Sequence, residues 1–286
     1  MTAHDPEASS TLVQFDFGEN WKSFSASALK QPNITAARSA FRNLFAKVPL
    51  ENRSFLDIGS GQGLGVCLAQ EAGALVHACD INPKCMEAMV ATGRFFPTFS
   101  LPAGSIVVGS ILEKATVEKL RVLPAAEKSD GFDVVQSWGV LHHTGDMRMA
   151  MQNAASLVRP GGHFVTAIYN KHWSSPAWRV IKRCYVAAPA LVRRLIVMLF
   201  IPLIAMAKFL VTGKNPLRQE RGMDFYHDIV DWVGGYPYEY ASAQELTDHV
   251  ESLGFKTLKV ISARVPTGCN EFVFRRNEVG SPNESR

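Results

Sequence analysis

The stretch FLDIGSGQG at Phe55–Gly63 decides the fold of this chain. An apolar run of strand character ends in Asp57, and glycines then stand at every second position, at 59, 61 and 63. The hydrophobic stretch Leu64–Leu75 follows, and a second strand-like run at Ala74–Cys79 ends in Asp80. The pattern predicts a strand, a tight glycine turn, a helix and a strand. Such a turn lets a ligand lie against bare backbone at the carboxyl end of a sheet.

The acid that ends the second strand helps to identify the kind of ligand. A carboxylate about 20 residues beyond the glycine turn is suited to a pair of ribose hydroxyls. The dinucleotide-binding motif G-x-G-x-x-G also needs a third glycine, but that position is Leu64 when counted from Gly59 and Val66 when counted from Gly61. The spacing therefore argues against a dinucleotide oxidoreductase and leaves another nucleotide-like ligand.

Composition narrows the broad class of protein. A hydrophobic content of 47% and a charged content of 20% are typical of a globular protein with a substantial core. The net charge of +4 is too small to indicate a nucleic-acid partner. Five cysteines without a C-x-x-C pair predict reduced thiols. The amino terminus has no signal-peptide pattern, so we expect a cytoplasmic protein. The sequence has no zinc-type cluster of ligands, so we also expect no metal centre.

Strand-like and helical runs alternate along the chain, which predicts an α/β fold with a doubly wound, mostly parallel, seven-stranded sheet. An N-terminal helical lid precedes this core, and a helical cap is inserted after the fifth strand. The predicted segments are a disordered tail at 1–14, the lid at 15–50, the core at 51–169, the cap at 170–241, a C-terminal helix and strands at 242–276 and a second disordered tail at 277–286.

The cap contains an unusually apolar segment, Ala187–Val211. Its uncharged part, Leu195–Ala207, is 13 residues long and includes Pro202. Because a membrane span needs about 20 apolar residues, the sequence predicts no transmembrane helix. Two interpretations stay open: a helical cap buried over the sheet, or a cap whose apolar face contacts a hydrophobic acceptor or the surface of a membrane.

Two later motifs add to the glycine turn. FDVVQSWGVLHH at Phe132–His143 and LVRPGGHF at Leu157–Phe164, together with the acid-x-Gly-x-Gly-x-Gly pattern, resemble class I S-adenosyl-L-methionine (SAM)-dependent methyltransferases. The flanking stretches at Phe17–Trp21, Arg221–Ser242 and Gly268–Phe274 are similar to a bacterial subgroup linked to glycan and lipid-linked metabolite pathways. The resemblance implies a Rossmann-like methyltransferase fold, SAM as the cofactor and S-adenosyl-L-homocysteine (SAH) as its product.

The resemblance also implies roles for individual residues. The methionine part of SAM would lie along Asp57, Gly59, Ser60, Gly61 and Gly63. Asp80 would accept both ribose hydroxyls, since a carboxylate can take two hydrogen bonds from a cis-diol. Around the adenine and the sulfonium the implied residues are Ile81, Asn82, Ser110, Ile111, Gln136, Ser137 and Trp138, with Trp21 closing the site. Many relatives carry Asp where this chain has Ser110, so a backbone amide is the alternative contact there.

The acceptor side offers candidate bases. A hydroxyl acceptor must lose a proton, which a neutral histidine can take near pH 7. His142 and His143 follow the fourth strand, and His227 stands beside Asp228 in the cap. Core packing, helix capping or a structural hydrogen bond are the alternative roles. Asp228, Trp232, Tyr236 and Tyr238 are the candidate walls of the acceptor pocket, although aromatic residues in a cap often serve packing alone.

These motifs predict methyl transfer to a small-molecule acceptor, with a hydroxyl of a sugar-like, lipid-linked or quinone-like metabolite preferred. Transfer to nitrogen or carbon is the alternative within enzymes. A catalytically silent SAM-fold binding protein is the alternative from another class. No nucleic acid is expected as a partner.

Overall fold

The computed structural model describes residues 29–213 and 225–278. The predicted tail at 1–14, most of the second tail, Trp21 and the first half of the predicted lid lie outside these residues. The described strands are β1 Ser54–Ile58, β2 Leu75–Asp80, β3 Ile106–Val108, β4 Phe132–Trp138, β5 Val158–Tyr169, β6 Phe255–Ile261 and β7 Cys269–Arg276.

The strands form one seven-stranded sheet in the order β3-β2-β1-β4-β5-β7-β6. Strands β1 to β5 pair in parallel, and β7 runs antiparallel between β5 and β6. The predicted α/β class and the mostly parallel sheet are therefore confirmed. The strand order reverses between β1 and β4. In sheets of this kind, ligands bind in a crevice at the carboxyl ends of the strands at such a point.

Helices lie on both faces of this sheet. The described helices are α1 Gln31–Leu44, α2 Leu64–Glu71, α3 Cys85–Gly93, α4 Lys114–Arg121, α5 Pro124–Glu127, α6 Met147–Ser156, α7 Ser175–Ala187, α8 Ala190–Thr212, α9 Phe225–Gly234 and α10 Ala243–Ser252. Side chains of β1 alternate between the faces: Leu56 and Ile58 join the core beneath α6 and α10, while Phe55 joins the core beneath α1 and α2. All five β1 residues are buried, as expected for a central parallel strand covered on both sides.

Two core helices have side-chain caps at their N-termini. The Asp146 side chain accepts a hydrogen bond from the Met149 amide and caps α6. Ser242 and Glu245 form a reciprocal capping box at the start of α10. The cap at Ser242 fixes where the chain returns from the cap region to the core helix α10.

The cap consists of α7, α8 and α9. Tyr185 and Val186 of α7, Val197 of α8, and Ile229 and Val233 of α9 form a separate apolar cluster. This cluster binds the three helices to each other. The described part of the cap is thus a small helical layer with a core of its own.

Helix α8 bears on two expectations, the buried cap helix and the absence of a transmembrane span. It is 23 residues long, and among its residues with described side chains only Val197 is buried, so the interpretation as a buried cap helix is wrong for α8. Its Ala190–Ala207 part is also long and apolar enough to cross a membrane, because Arg193 and Arg194 are the only charges in these 18 residues. The uncharged run Leu195–Ala207 therefore underestimated the length of the apolar helix. Length and composition alone do not distinguish a spanning helix from one that lies on a surface.

Candidate active site

The turn between β1 and α2 forms one side of the crevice. Gly59, Gly61 and Gly63 all have positive φ angles, of 73°, 52° and 73°. A Cβ at Gly59 would lie 2.3 Å from a methyl group of Val140, and one at Gly63 would lie 2.2 Å from Met89 Cγ. Glycine is required at these two positions by both the backbone and the neighbours. The contact with Val140 also brings the turn against the segment that carries His142.

Two buried carboxylates end the strands beside this turn. Asp80 Oδ2 accepts the Gly61 amide at 2.8 Å, and its Oδ1 accepts the Asn82 amide at 2.9 Å. Burial raises the pKa of the Asp80 carboxyl, and these amides oppose that shift. Burial also raises the pKa of Asp57 to about 7, with the hydrogen bond from Gln136 acting in the opposite direction. Within residues 29–213 and 225–278, neither acid forms an ion pair with a cationic side chain.

Register explains the contact between Asp57 and Gln136. The two residues are paired across β1 and β4, and Gln136 Nε2 donates to Asp57 Oδ1 at 3.1 Å. Gly65 lies directly against this pair, since a Cβ there would be 2.4 Å from Gln136 Nε2 and 2.7 Å from Asp57 Oδ2. Gly65 was not among the predicted site residues. Its signal in the sequence is a glycine in the first turn of a helix, where glycine is otherwise unfavourable.

The turn contains buried polar atoms that lack partners. Ser60 Oγ and Gln62 Oε1 are buried and accept or donate no hydrogen bond within the described part of the chain. Buried polar atoms normally have a partner, so such atoms indicate a missing ligand or water. Both atoms lie in the glycine turn beside Asp57. The donor and acceptor set of the turn therefore fits a polar, cationic group such as the amino acid end of SAM. Gln62 is a further residue that the motif analysis missed.

The other residues predicted around the cofactor fall into two groups. Ile81 is 56% exposed at the end of β2, and Trp138 is 39% exposed at the end of β4, so both present apolar surface at the crevice edge. Ile111 is buried in the core beneath α6, and Ser137 donates its hydroxyl to the Ile58 carbonyl at 2.9 Å. The side chains of this second group hold the sheet together. Ser110 accepts the Leu112 amide at 3.2 Å and so closes the turn after β3.

His142 and His143 lie in a single 3₁₀ turn, Leu141–His143, directly after β4. His143 Nδ1 lies 2.7 Å from the Pro237 carbonyl and must donate to it, which fixes its tautomer. Neither ring nitrogen of His142 has a hydrogen-bond partner among the described residues, although the ring is fully buried. Burial, with His143 and Lys182, holds the pKa of His142 well below its usual range. His142 is thus a neutral imidazole with free hydrogen-bonding capacity.

Lys182 of α7 lies beside the two histidines and was not predicted. It is fully buried, and its ammonium donates to the Trp232 carbonyl. The ammonium also lies 4.8 Å from the Tyr238 ring centre, 5.3 Å from that of Trp232 and 5.4 Å from that of Tyr169. Burial, followed by the charge of Lys182, lowers the pKa of His143 to about 3. A buried cation therefore faces the aromatic rings and histidines at this edge of the sheet.

The structure brings Tyr238 and Trp232 into this group. The Tyr238 ring packs 5.1 Å from that of Tyr169, which itself lies 4.2 Å from the His142 ring. Tyr236 is half-buried and packs against the core of the cap instead. His227 and Asp228 belong to α9, but their side chains lie outside the described part of the structure, as does Trp21, so their predicted roles stay predictions.

No cluster of three or more His, Cys, Asp or Glu side chains that could hold a metal ion is present within residues 29–213 and 225–278. The polar groups at the crevice are instead two separate carboxylates, an amide and two histidines. The prediction of a metal-free site stays a prediction.

The doubly wound sheet, the glycine turn and the two strand-end acids define a Rossmann-like methyltransferase fold. A family model described as a methyltransferase domain matches residues 33–260. The chain belongs to this family of class I SAM-dependent methyltransferases, as the sequence motifs predicted.

Sequence relatives match about half of the chain. Two are named as ubiquinone biosynthesis O-methyltransferases, from Ralstonia nicotianae, at 30% identity over 48% of this chain and 52% of the relative, and from Parvibaculum lavamentivorans, at 28% identity over 48% and 49%. The chain thus spans about half the length of the curated relatives it matches.

Solved structures extend the similarity in fold over almost the whole chain. Magnesium protoporphyrin IX methyltransferase from Synechocystis PCC 6803, solved with bound SAH, superposes with a TM-score of 0.52 at 15% identity, covering 91% of this chain and 94% of the other. A sarcosine dimethylglycine methyltransferase described as putative, from Galdieria sulphuraria, gives a TM-score of 0.53 at 12% identity, covering 92% and 98%. At these identities the likeness concerns the fold alone.

Proposed function

We propose that this chain transfers the methyl group of SAM to a hydroxyl oxygen of a small-molecule acceptor. We place the cofactor at the glycine turn, where Asp57, Ser60 and Gln62 would hold its amino acid end and Asp80 its ribose. SAM supplies a methyl group that its sulfonium already activates. The residues of the chain then have to position the acceptor, exclude water and take one proton.

The environment of the His142 ring is the observation that supports the proposal most strongly. His142 is a neutral, fully buried imidazole whose two ring nitrogens have no partner among the described residues. The 3₁₀ turn that contains His142 directly follows Val140, whose side chain packs against Gly59. A base next to the cofactor turn is needed for a hydroxyl acceptor, and a neutral imidazole can accept the proton of that hydroxyl.

Lys182 complements a base of such low pKa. The charge of the ammonium disfavours protonation of His142, and the same charge favours the ionised form of an acceptor hydroxyl placed nearby. The ammonium thereby makes the acceptor hydroxyl easier to deprotonate. The aromatic rings of Tyr169, Trp232 and Tyr238 around the ammonium suit a flat, partly apolar acceptor.

This surrounding favours an aromatic hydroxyl of a quinone-like or lipid-linked metabolite over a sugar hydroxyl. The sequence relatives that are named as O-methyltransferases of ubiquinone biosynthesis support the same acceptor class. We assign the acceptor contacts to Trp232 and Tyr238, with His227 and Asp228 of α9 as further candidates.

The test is methyl transfer from isotopically labelled SAM to a panel of acceptors, read as a mass shift. The panel contains a soluble catechol, a prenylated phenol, a sugar and an amine. We expect labelled ether products from the phenols, with the prenylated one preferred. Labelling of the amine alone would contradict the O-methylation proposal.

His142→Gln tests the proposed base in the same assay. We expect SAH binding to stay nearly unchanged and turnover to fall by about 10²–10⁴-fold, which is the usual contribution of general-base catalysis. His77→Gln is the matched control. His77 is half-buried, and its Nδ1, like the ring nitrogens of His142, has no partner among the described residues, but it lies within β2. Equal turnover in both variants would remove His142 from the mechanism.

A further inference from the structure

Helix α8 is apolar on two opposite sides. Its inner stripe packs on α7 and α9 through Ile196, Val197, Phe200 and Ile204. Its outer stripe consists of exposed, uncharged side chains at one helical spacing: Leu191, Leu195, Met198, Leu199, Leu203, Met206, Phe209 and Leu210. A helix that is hydrophobic all round is normally buried in a protein core or in lipid. The outer stripe of α8 therefore indicates a covering partner.

The charge around this stripe indicates the chemistry of that partner. Between Lys171 and Gly213 the sequence has seven of the chain's 30 Lys and Arg residues and none of its 26 Asp and Glu residues. The remainder of the chain is net acidic as a result. Arg183 and Arg194 are exposed, and the Arg193 guanidinium donates to the Val186 and Ala188 carbonyls at the junction of α7 and α8. An apolar stripe in a purely basic segment is complementary to an anionic, apolar surface.

We propose that the outer stripe of α8 docks this protein onto the surface of an anionic lipid bilayer. The helix lies in the plane of the membrane, with Leu195, Leu199 and Leu203 entering the boundary between headgroups and acyl chains. The basic side chains at its margins meet the lipid phosphates. This inference is independent of the acceptor and of the proposed base.

Two other arrangements fit the structure less well. A spanning helix would be surrounded by lipid, which would separate α8 from the α7 and α9 residues that form the core of the cap. A second copy of the chain would bring its own basic segment against the first, and like charges oppose such pairing. An anionic membrane surface satisfies both the apolar stripe and the charge.

The test is sedimentation of the purified full chain with vesicles of phosphatidylcholine alone or with added phosphatidylglycerol. We expect binding to the anionic vesicles, weaker binding to the neutral ones and release at high salt. The variant L199E/L203E places charges in the stripe, at positions 62% and 46% exposed. Its binding should fall by about tenfold or more, because both leucines would lose their apolar surroundings.

The matched control is V90E/V122E. Val90 and Val122 are 64% and 65% exposed but lie outside the cap, so this variant should bind vesicles like the parent. SAH titration of all three proteins checks folding and keeps the result separate from the proposed methyl transfer.

Four results would overturn the inference. One is equal vesicle binding by the parent and L199E/L203E, and another is a parent that stays in the supernatant with anionic vesicles. The third is a parent dimer that L199E/L203E converts to a monomer without any vesicle binding, which would assign the stripe to a second copy. Resistance of the bound parent to an alkaline carbonate wash would contradict the in-plane arrangement and favour a spanning helix.

Discussion

The glycine-turn edge of the sheet, which we propose holds the cofactor, and the helical cap, which we propose holds the acceptor, are built in different ways. At the turn the positions are fixed by backbone: strand register pairs Asp57 with Gln136, and the amides of Gly61 and Asn82 hold Asp80. In the cap the positions are fixed by side chains, as where Lys182 lies among three aromatic rings. A site built on backbone tolerates few changes, whereas a cap of packed helices can adapt to a new acceptor or a new surface.

Asp57→Asn should produce the largest effect at the backbone-built edge. Burial raises the Asp57 pKa to about 7 in the folded protein, above its ordinary value of 3.8. The ionised carboxylate therefore destabilises the ligand-free fold increasingly as pH rises from about 4 to about 7, and constantly above that. The variant should be more stable than the parent above pH 7, by no more than about 4 kcal/mol, since one pKa unit corresponds to about 1.4 kcal/mol.

Urea unfolding of both proteins at pH 5 and pH 8 measures this difference. The gain in stability should be larger at pH 8, and SAH affinity should fall, because Asn cannot pair with the cofactor's ammonium. A variant that is less stable than the parent at pH 8 would show that Asp57 does not carry a burial penalty.

Gly65→Ala tests how tightly the same edge is packed. The new Cβ would enter the space of Gln136 Nε2 and Asp57 Oδ2 and displace the carboxylate. Because a hydrogen bond to a charged group contributes about 1.5–3 kcal/mol, SAH affinity should fall by about ten- to a hundredfold in calorimetry. Gly104→Ala is the control for a strained glycine before β3: unlike Gly65, Gly104 has a positive φ, but no atom lies near its Cβ position, so SAH affinity should not change.

Lys182→Met tests the side-chain-built cap with a smaller expected effect. Removing the ammonium removes one of the causes that lower the His142 pKa. The acidic limb of the pH profile of kcat/KM should therefore move to higher pH, by up to about one unit. Arg183→Met, an exposed neighbour on α7, should leave the limb in place. An unmoved limb in both variants would mean that Lys182 does not act on the base.

The two regions also differ in how far the sequence predicts them. Glycine spacing and strand-end acids are local patterns, so the turn, the sheet and the roles implied for Asp57 and Asp80 could be proposed in advance. Gly65 was missed because its importance depends on its contact with Gln136 of β4, some seventy residues away in sequence. Gln62 was missed because the burial of its side chain is a property of the folded chain. Lys182 was missed because its burial depends on how α7 packs against α9.

Helix α8 shows a second limit of sequence patterns. An apolar run does not reveal whether a protein core or a membrane covers it, and the charged residues at its start made the apolar run seem shorter than the helix is. The buried interpretation of this segment was wrong because α7 and α9 cover only one side of α8. The exposure of a side chain depends on the tertiary structure, so the exposed side of α8 could not be predicted from the sequence pattern.

The central claim is that the glycine-turn edge binds SAM rather than a dinucleotide. Isothermal titration of the parent with SAH and with NAD tests it most directly, with Asp80→Ala as the control for the ribose contact. We predict saturable SAH binding, no heat of binding with NAD, and an SAH affinity about tenfold or more lower in Asp80→Ala, since a charged acceptor is lost. Binding of NAD without any response to SAH, or equal SAH affinity in Asp80→Ala, would contradict the account.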